Sequence, residues 1–186
     1  MVYVALLRGI NVGGNNMIDM KRLKQVFIDA GLQSVVTYIN SGNVIFYAVE
    51  YTKEQLIELI EKAILENFQL QIKVVLRSIE DFHTMMSRVP ESWRNDQDMK
   101  CDVLFLWEDV DSPTLLTELT VKPDIDTVIY TPGAVLWAVD KINVTKSGSM
   151  KLVGTNLYKK MTVRNINTAR KIYQIMQKVA EDSLFI

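Results

Sequence analysis

The sequence predicts an α+β fold built from two similar subdomains. Three observations carry this. Val2–Leu7 is a six-residue apolar run that leads into a glycine- and asparagine-rich loop and then a helical pattern. Two hairpin signals, Tyr38-Ile-Asn-Ser-Gly-Asn-Val44 and Tyr130-Thr-Pro-Gly-Ala-Val135, each place a tyrosine, a glycine turn and a valine together. Each hairpin also follows a strand and a helical stretch, so the halves echo one another, one residue out of step, as a duplication would.

The elements follow in order. Val2–Leu7 is apolar on both alternate faces, as expected of a strand covered on both sides. Residues 9–16 (GINVGGNN) read as a loop. Met20, Leu23, Val26, Phe27 and Ala30 fall at helical spacing, and Gly31 stops the helix. Val35–Ile39 and Val44–Tyr47 are strands joined by Asn40-Ser41-Gly42-Asn43. Thr52 and Gln55 form a capping box for a helix that runs to about Phe68, with Leu56, Ile57, Ile60, Ala63 and Ile64 inward. Ile72–Leu76 closes the order βαββαβ, the split or ferredoxin-like pattern. Ser78 and Asp81 then open a helix that Pro90 ends.

The polar stretch 90–100 (PESWRNDQDMK) marks the boundary between an N-terminal ferredoxin-like subdomain, 1–89, and a C-terminal α+β subdomain, 90–186. In the second half Val103–Trp107, Thr127–Tyr130 and Val135–Val139 read as strands. Ser112-Pro113 reads as a helix start. Helical stretches are expected over about 149–159 and 166–181, the last with an apolar stripe of Ile166, Ala169, Ile172, Tyr173, Met176 and Val179.

Composition excludes several classes. One cysteine, Cys101, cannot make an internal disulfide, and with one histidine a Cys/His metal site is not expected. No apolar run approaches the roughly 20 residues of a membrane span. The opening MVYVALLRG reads as a strand rather than a signal peptide, so a cytoplasmic protein without membrane association is expected. No cofactor motif is present. His83 is the sole histidine and lies on a helix beside Phe82, Met85 and Met86, which leaves no Ser-His-Asp or Cys-His arrangement to build. Nothing near Cys101 in sequence lowers its pKa. Ser147-Gly-Ser-Met-Lys151 misses S-x-x-K spacing from either serine.

The charge is unevenly distributed. The chain carries a net −1, yet residues 91–140 hold three basic and eleven acidic side chains, a net of −8. Residues 141–180 hold nine basic side chains and no acidic one, from Lys141 to Lys178. Such segregation marks an anion-binding surface, or two stretches that neutralise each other.

Two segments are candidate sites. The loop Arg8-Gly-Ile-Asn-Val-Gly-Gly14 leads from a strand into a helix, where backbone N–H groups point outward and bind phosphate. Gly9 and Gly14 have P-loop separation, but Asn15 and Asn16 stand where Lys and Ser/Thr are required, so a Walker or dinucleotide site is not expected. In a ferredoxin-like unit the first two strands run the same way. Arg8, Asn11, Gly13 and Gly14 should therefore meet Asn40, Ser41 and Asn43 at one end of the sheet. Asparagine donates and accepts, which suits recognition of a polar ligand; alternatively these groups bond to one another and fix the two loops. The second segment, Thr162–Lys171, surrounds a helix start with Arg164, Arg170 and Lys171 beside Asn165, Asn167 and Thr168. Capping by the small polar residues accounts for part of that pattern.

AxLRGINVGG at 5–14, TYINSGNVIF at 37–46 and TxRNxNTxxK at 162–171 resemble the DUF1697 family of uncharacterised bacterial proteins. The resemblance spans nearly the whole chain. It implies two α+β subdomains and no established activity. Ile166 departs from the pattern, standing where the family is usually aromatic, and so offers no ring for stacking on a base.

The expectation is a protein that binds a small anionic, phosphate-bearing ligand between its two subdomains. Arg8 and Arg164 would supply charge, Gly13 and Gly14 N–H groups, and Asn11, Asn40, Ser41, Asn43, Asn165, Thr168 and Lys171 further contacts. No general base can be named, so no reaction is assigned. The alternatives are a protein-interaction module and weak nucleic-acid binding through 141–180. Recognition of the RNA-recognition-motif type is not expected, because the third strand, Gly42–Tyr47, lacks basic residues and the sheet reads as covered.

Overall fold

The computed structural model describes residues 1–183. The chain forms two compact units. One is Met1–Glu80 with the C-terminal helix from Ile172 onward; the other is Asp81–Lys171. Composition points to the polar stretch at 90–100, whereas packing divides the chain about ten residues earlier and assigns the last helix to both units.

In the first unit β1 (Val2–Leu7), α1 (Met20–Asp29), β2 (Gln33–Tyr38), β3 (Asn43–Tyr47), α2 (Lys53–Phe68) and β4 (Val74–Ser78) follow in order. The sheet order is β2-β3-β1-β4, antiparallel throughout. Every residue of β1 is buried, which is why both of its alternate faces are apolar. Leu23, Phe27, Phe46, Leu56, Ile60 and Ile64 form the core beneath α1 and α2. Local chemistry sets the helix ends as expected. Thr52 Oγ1 accepts from Gln55 N (3.3 Å) while Gln55 Oε1 accepts from Thr52 N (2.9 Å). Asp19 Oδ1 accepts from Arg22 N at the start of α1 (2.8 Å).

The second unit holds α3 (Ile79–Met86, from Asp81), β5 (Met99–Leu106), β6 (Asp126–Thr131), β7 (Ala134–Asp140), α4 (Ser149–Leu152), β8 (Met161–Asn165) and the first residues of α5 (Ile166–Ser183). Its sheet order, β6-β7-β5-β8, repeats the first. The helix start at Ser112-Pro113 is as expected, with Ser112 Oγ accepting from Thr114 N (3.3 Å), though the helix is a short 3₁₀ stretch, Pro113–Thr117. One expectation fails: the 149–159 helix is one turn plus a 3₁₀ turn, Tyr158–Lys160. Threonines and valines there give little helix propensity, and Leu115, Leu119 and Leu152 fill the core without long helices. Strand β8 also went unrecognised, because Met161–Asn165 is short and its polar end resembles a cap.

The duplication is visible in individual bonds. Leu7 N donates to Gly42 O (2.8 Å) and Arg8 N to Lys73 O (3.0 Å); in the second unit Leu106 N donates to Gly133 O (3.0 Å) and Trp107 N to Lys160 O (3.1 Å). Val4 pairs with Arg77 in one sheet and Val103 with Arg164 in the other. Each of these arginines is buried and donates Nη1 to the carbonyl of the preceding residue, Leu76 (2.8 Å) or Val163 (2.9 Å). The repeat therefore includes Arg-Ser-Ile (77–79) and Arg-Asn-Ile (164–166), as well as the hairpins.

Candidate functional site

The loop after β1 and the hairpin after β2 lie together, as the topology requires. Asn11 joins them. Its Nδ2 donates to Asn40 O (2.9 Å) and Ile18 O (3.0 Å), and its Oδ1 accepts from Ile18 N (2.7 Å). Asn11 thus ties the loop to the lead-in of α1 and to the hairpin, with its backbone left-handed at φ 53°, a conformation asparagine tolerates better than most residues. Asn16 Nδ2 donates to Gly9 O across the loop (2.9 Å). Asn43 is fully buried, and its Nδ2 donates to Tyr38 O (3.0 Å) and Ser41 Oγ (3.0 Å). Asn11 and Asn43 are therefore engaged with the chain itself.

Gly42 is required sterically. Its φ is 74°, and a Cβ there would lie 2.8 Å from both Leu7 Cβ and Ile10 Cδ1. Gly9 and Gly14 share positive φ but face open space. Gly13 and Gly14, exposed at φ 58° and 78°, form the loop's outer tip. Among the described residues no hydrogen bond occupies their N–H groups. A shallow depression of about 440 Å³ beside the loop is lined by Asn11, Met17, Ile18, Asp19, Met20 and Asn40. Its one charged residue is Asp19.

The family model described as protein of unknown function (DUF1697) matches residues 1–137. The chain belongs to the DUF1697 family. A conserved bacterial protein from Streptococcus pneumoniae is similar in structure, with a TM-score of 0.81 and 30% identity over 94% of this chain and 98% of that one. No curated protein matches the chain.

In this DUF1697 chain the second segment, 162–171, straddles the end of β8 and the start of α5. Arg164 Nη1 donates to Thr162 Oγ1 (3.1 Å) as well as Val163 O, and burial lowers its pKa to about 10. Asn165 Oδ1 accepts from Thr168 N (2.8 Å), a cap of the kind its sequence suggests. Asn167 exchanges two hydrogen bonds with the backbone of Asn95 (2.8 and 3.2 Å), and Arg170 donates to Trp93 O and Pro90 O. These residues clasp the loop 90–96 onto α5. Thr168 is buried and Lys171 exposed. The counterpart of the Arg8 loop is the acidic Trp107-Glu-Asp-Val-Asp111. There Asp111 accepts from Gly133 N through both carboxylate oxygens (2.9 Å each) and from Tyr130 OH (2.9 Å).

One constellation escaped sequence reading. Asp126, buried, accepts at Oδ1 from Ser147 Oγ (2.5 Å) and Trp137 Nε1 (3.1 Å), and at Oδ2 from Lys122 N and Gly148 N (2.9 Å each). Burial by itself would raise its pKa, but the four donors outweigh this and hold it below the ordinary aspartate value. Ser147 and Ser149 hydrogen-bond to one another (2.8 Å). Ser147 is only 2% exposed, so the Ser-Gly-Ser segment anchors a chain reversal. Gly148 is part of that anchor, because a Cβ would fall 1.4 Å from Thr120 O. The only sequence signal was the isolated Gly between two serines.

Other chemistry is limited. Cys101 is buried, and desolvation pushes its thiol up to about 11. Among the described residues no group of three His, Cys, Asp or Glu side chains is placed to hold a metal ion, and no helix is long and apolar enough to cross a membrane.

Proposed function

We propose that this protein binds a small phosphate-bearing anion at the loop Arg8–Asn16 of its first unit. The observation that carries the reading is the pair of exposed, unoccupied N–H groups at Gly13 and Gly14. Asn11 and Gly13 have positive φ and Val12 does not, the alternation that turns successive N–H groups toward one concave point. Arg8, half-buried at the start of the loop, supplies the cation and a planar donor fork. Asn40 and Ser41, on the hairpin that Asn11 ties to the loop, supply polar contacts at the rim. Asn11 and Asn43 take a different role from direct contact: they hold the two loops in register. The depression beside Asp19 is left out, since a carboxylate there repels an anion. Arg164, Asn165, Thr168 and Lys171 are not required, because the first three are engaged within their own unit.

A thermal-shift panel of inorganic phosphate, nucleotides and sugar phosphates tests this. A ligand at about 100 times its Kd adds roughly 2.7 kcal/mol, which for a chain of this size is a rise on the order of 5 °C. The shift should vanish in Arg8→Gln with the far-UV spectrum unchanged. No shift with any anion, or a shift that Arg8→Gln and Gly13→Ala both leave intact, removes the proposal.

A further inference from the structure

The second unit holds a pocket whose lining comes entirely from 91–140, the stretch with a net charge of −8. Its volume is about 210 Å³, more than the roughly 150 Å³ that admits a benzene molecule. Its floor is one face of the second sheet. Met99 pairs with Asp140, and Thr127 with Ala138; side chains paired across a ladder share a face. Asn167 and Arg170 hold the loop 90–96 against α5, and that loop brings Trp93 to the pocket. Asp124, in the turn before β6, completes the part of the lining that carries chemistry.

None of the lining residues is basic. Asp124 and Asp140 are both exposed, and among the described residues neither side chain is in an ion pair or a hydrogen bond. Asp140 precedes the 3₁₀ turn Lys141–Lys146, yet its side chain makes no capping bond. The cations of the neighbourhood are engaged elsewhere or lie outside the lining. Arg170 donates to the carbonyls of Trp93 and Pro90, Lys100 pairs with Asp102 at 3.3 Å, and Lys122 and Lys141 do not line the pocket.

Trp93 supplies an observation that the acids alone do not. It is 7% exposed, and its indole N–H makes no hydrogen bond among the described residues. A buried tryptophan usually finds an acceptor for that group. Nε1 is not fully enclosed, and the pocket is an opening that Trp93 lines. One donor without an acceptor and two acceptors without a donor therefore line the same pocket.

We propose that this pocket binds a small protonated amine that also carries an oxygen acceptor, an amino alcohol. An ammonium has three donors and no acceptor, which matches two carboxylates. The oxygen accepts from the indole N–H, and the methylenes between lie against Met99 and Ala138. The field of a strongly acidic stretch favours a cation over an anion. A metal ion is a poorer match, because among the described residues no three His, Cys, Asp or Glu side chains are grouped to hold one, and an indole N–H offers it no lone pair. The inference is independent of the proposed anion site, which belongs to the first unit.

Titration of the full chain with ethanolamine at neutral pH tests it, read from the indole N–H signals in the proton–nitrogen correlation spectrum. Trp93→Phe assigns the Trp93 signal. That signal should move and saturate, while the Trp137 signal, whose Nε1 donates to Asp126 Oδ1 (3.1 Å), should stay in place. Ethanol, which lacks the ammonium, should move neither. Asp124→Asn and Asp140→Asn remove charges that make no bond to the chain, so the rest of the spectrum should be kept. Each should raise the Kd about tenfold, the scale of one lost hydrogen bond to a charged group. A Trp93 signal that does not respond overturns the inference. So does a response that potassium chloride at equal ionic strength reproduces, or one that both aspartate variants leave intact.

Discussion

Gly42 and Gly9 separate two reasons for a glycine. Both have positive φ, but only Gly42 is crowded, by Leu7 and Ile10. Gly9→Ala should cost about 1–2 kcal/mol for the left-handed backbone alone. Gly42→Ala should cost that plus roughly 1–3 kcal/mol of overpacking, read as a lower urea midpoint. Asn11 is the second decisive residue. Its side chain makes three hydrogen bonds to backbone groups of two neighbouring segments. Asn11→Ala leaves Ile18 N without its acceptor, and a loss of about 2–3 kcal/mol is expected from the unfolding midpoint. Asn11→Asp keeps the acceptor, loses the donor and should fall between. Neither variant tests binding directly, because Asn11 holds the loop that would bind.

Hairpins and their anchors decide behaviour at the level of elements. In the first unit Asn11 donates to the hairpin carbonyl of Asn40; in the second Asp111 accepts from the hairpin amide of Gly133. Both loops anchor their hairpin, from positions one residue apart in the repeat and with opposite polarity. Burial and the hydrogen bond to Asp111 push the Tyr130 hydroxyl up to about 12. Asp111→Ala should bring that pKa back toward the ordinary tyrosine value in a spectrophotometric titration and speed exchange of the Gly133 amide. Elements also show where sequence reading reaches its limit. Helices α1 and α2 were legible from caps and spacing, since both signals are local. The extent of the 3₁₀ stretch at 113–117, the 3₁₀ turn at 158–160 and strand β8 were not, because short elements take their conformation from the core they fill.

Acid stability at the scale of the whole molecule follows from the buried carboxylates. Asp126 has a native pKa below its unfolded value. Its stabilisation is therefore complete above the unfolded aspartate pKa, and it is lost as pH falls through the lower native value. Asp126→Asn should destabilise at neutral pH by about 2–3 kcal/mol, as expected when hydrogen bonds to a charged group are weakened. It should also flatten the acid side of the stability profile, measured by urea unfolding at several pH values. Asp102 opposes this in part, because burial raises its pKa despite Lys100 at 3.3 Å. Cys101, buried with its thiol raised to about 11, should react with a thiol reagent far more slowly in the native protein than in urea.

The sequence by itself determined the α+β class, the duplicated halves, the first unit's order of elements and its helix caps, because periodicity, capping and glycine turns act over a few residues. It also brought the Arg8 loop and the Asn40 hairpin together, through strand direction alone. The tertiary structure decided what those polar groups do. Asn11, Asn43, Asn165 and Asn167 look alike in a motif, and only the positions of distant carbonyls and amides show that each is engaged within the fold. The same holds for Asp126 and Ser147, twenty-one residues apart, and for the pocket that gathers Trp93, Asp124 and Asp140. Contacts between residues so far apart along the chain are fixed by packing rather than by neighbours in sequence.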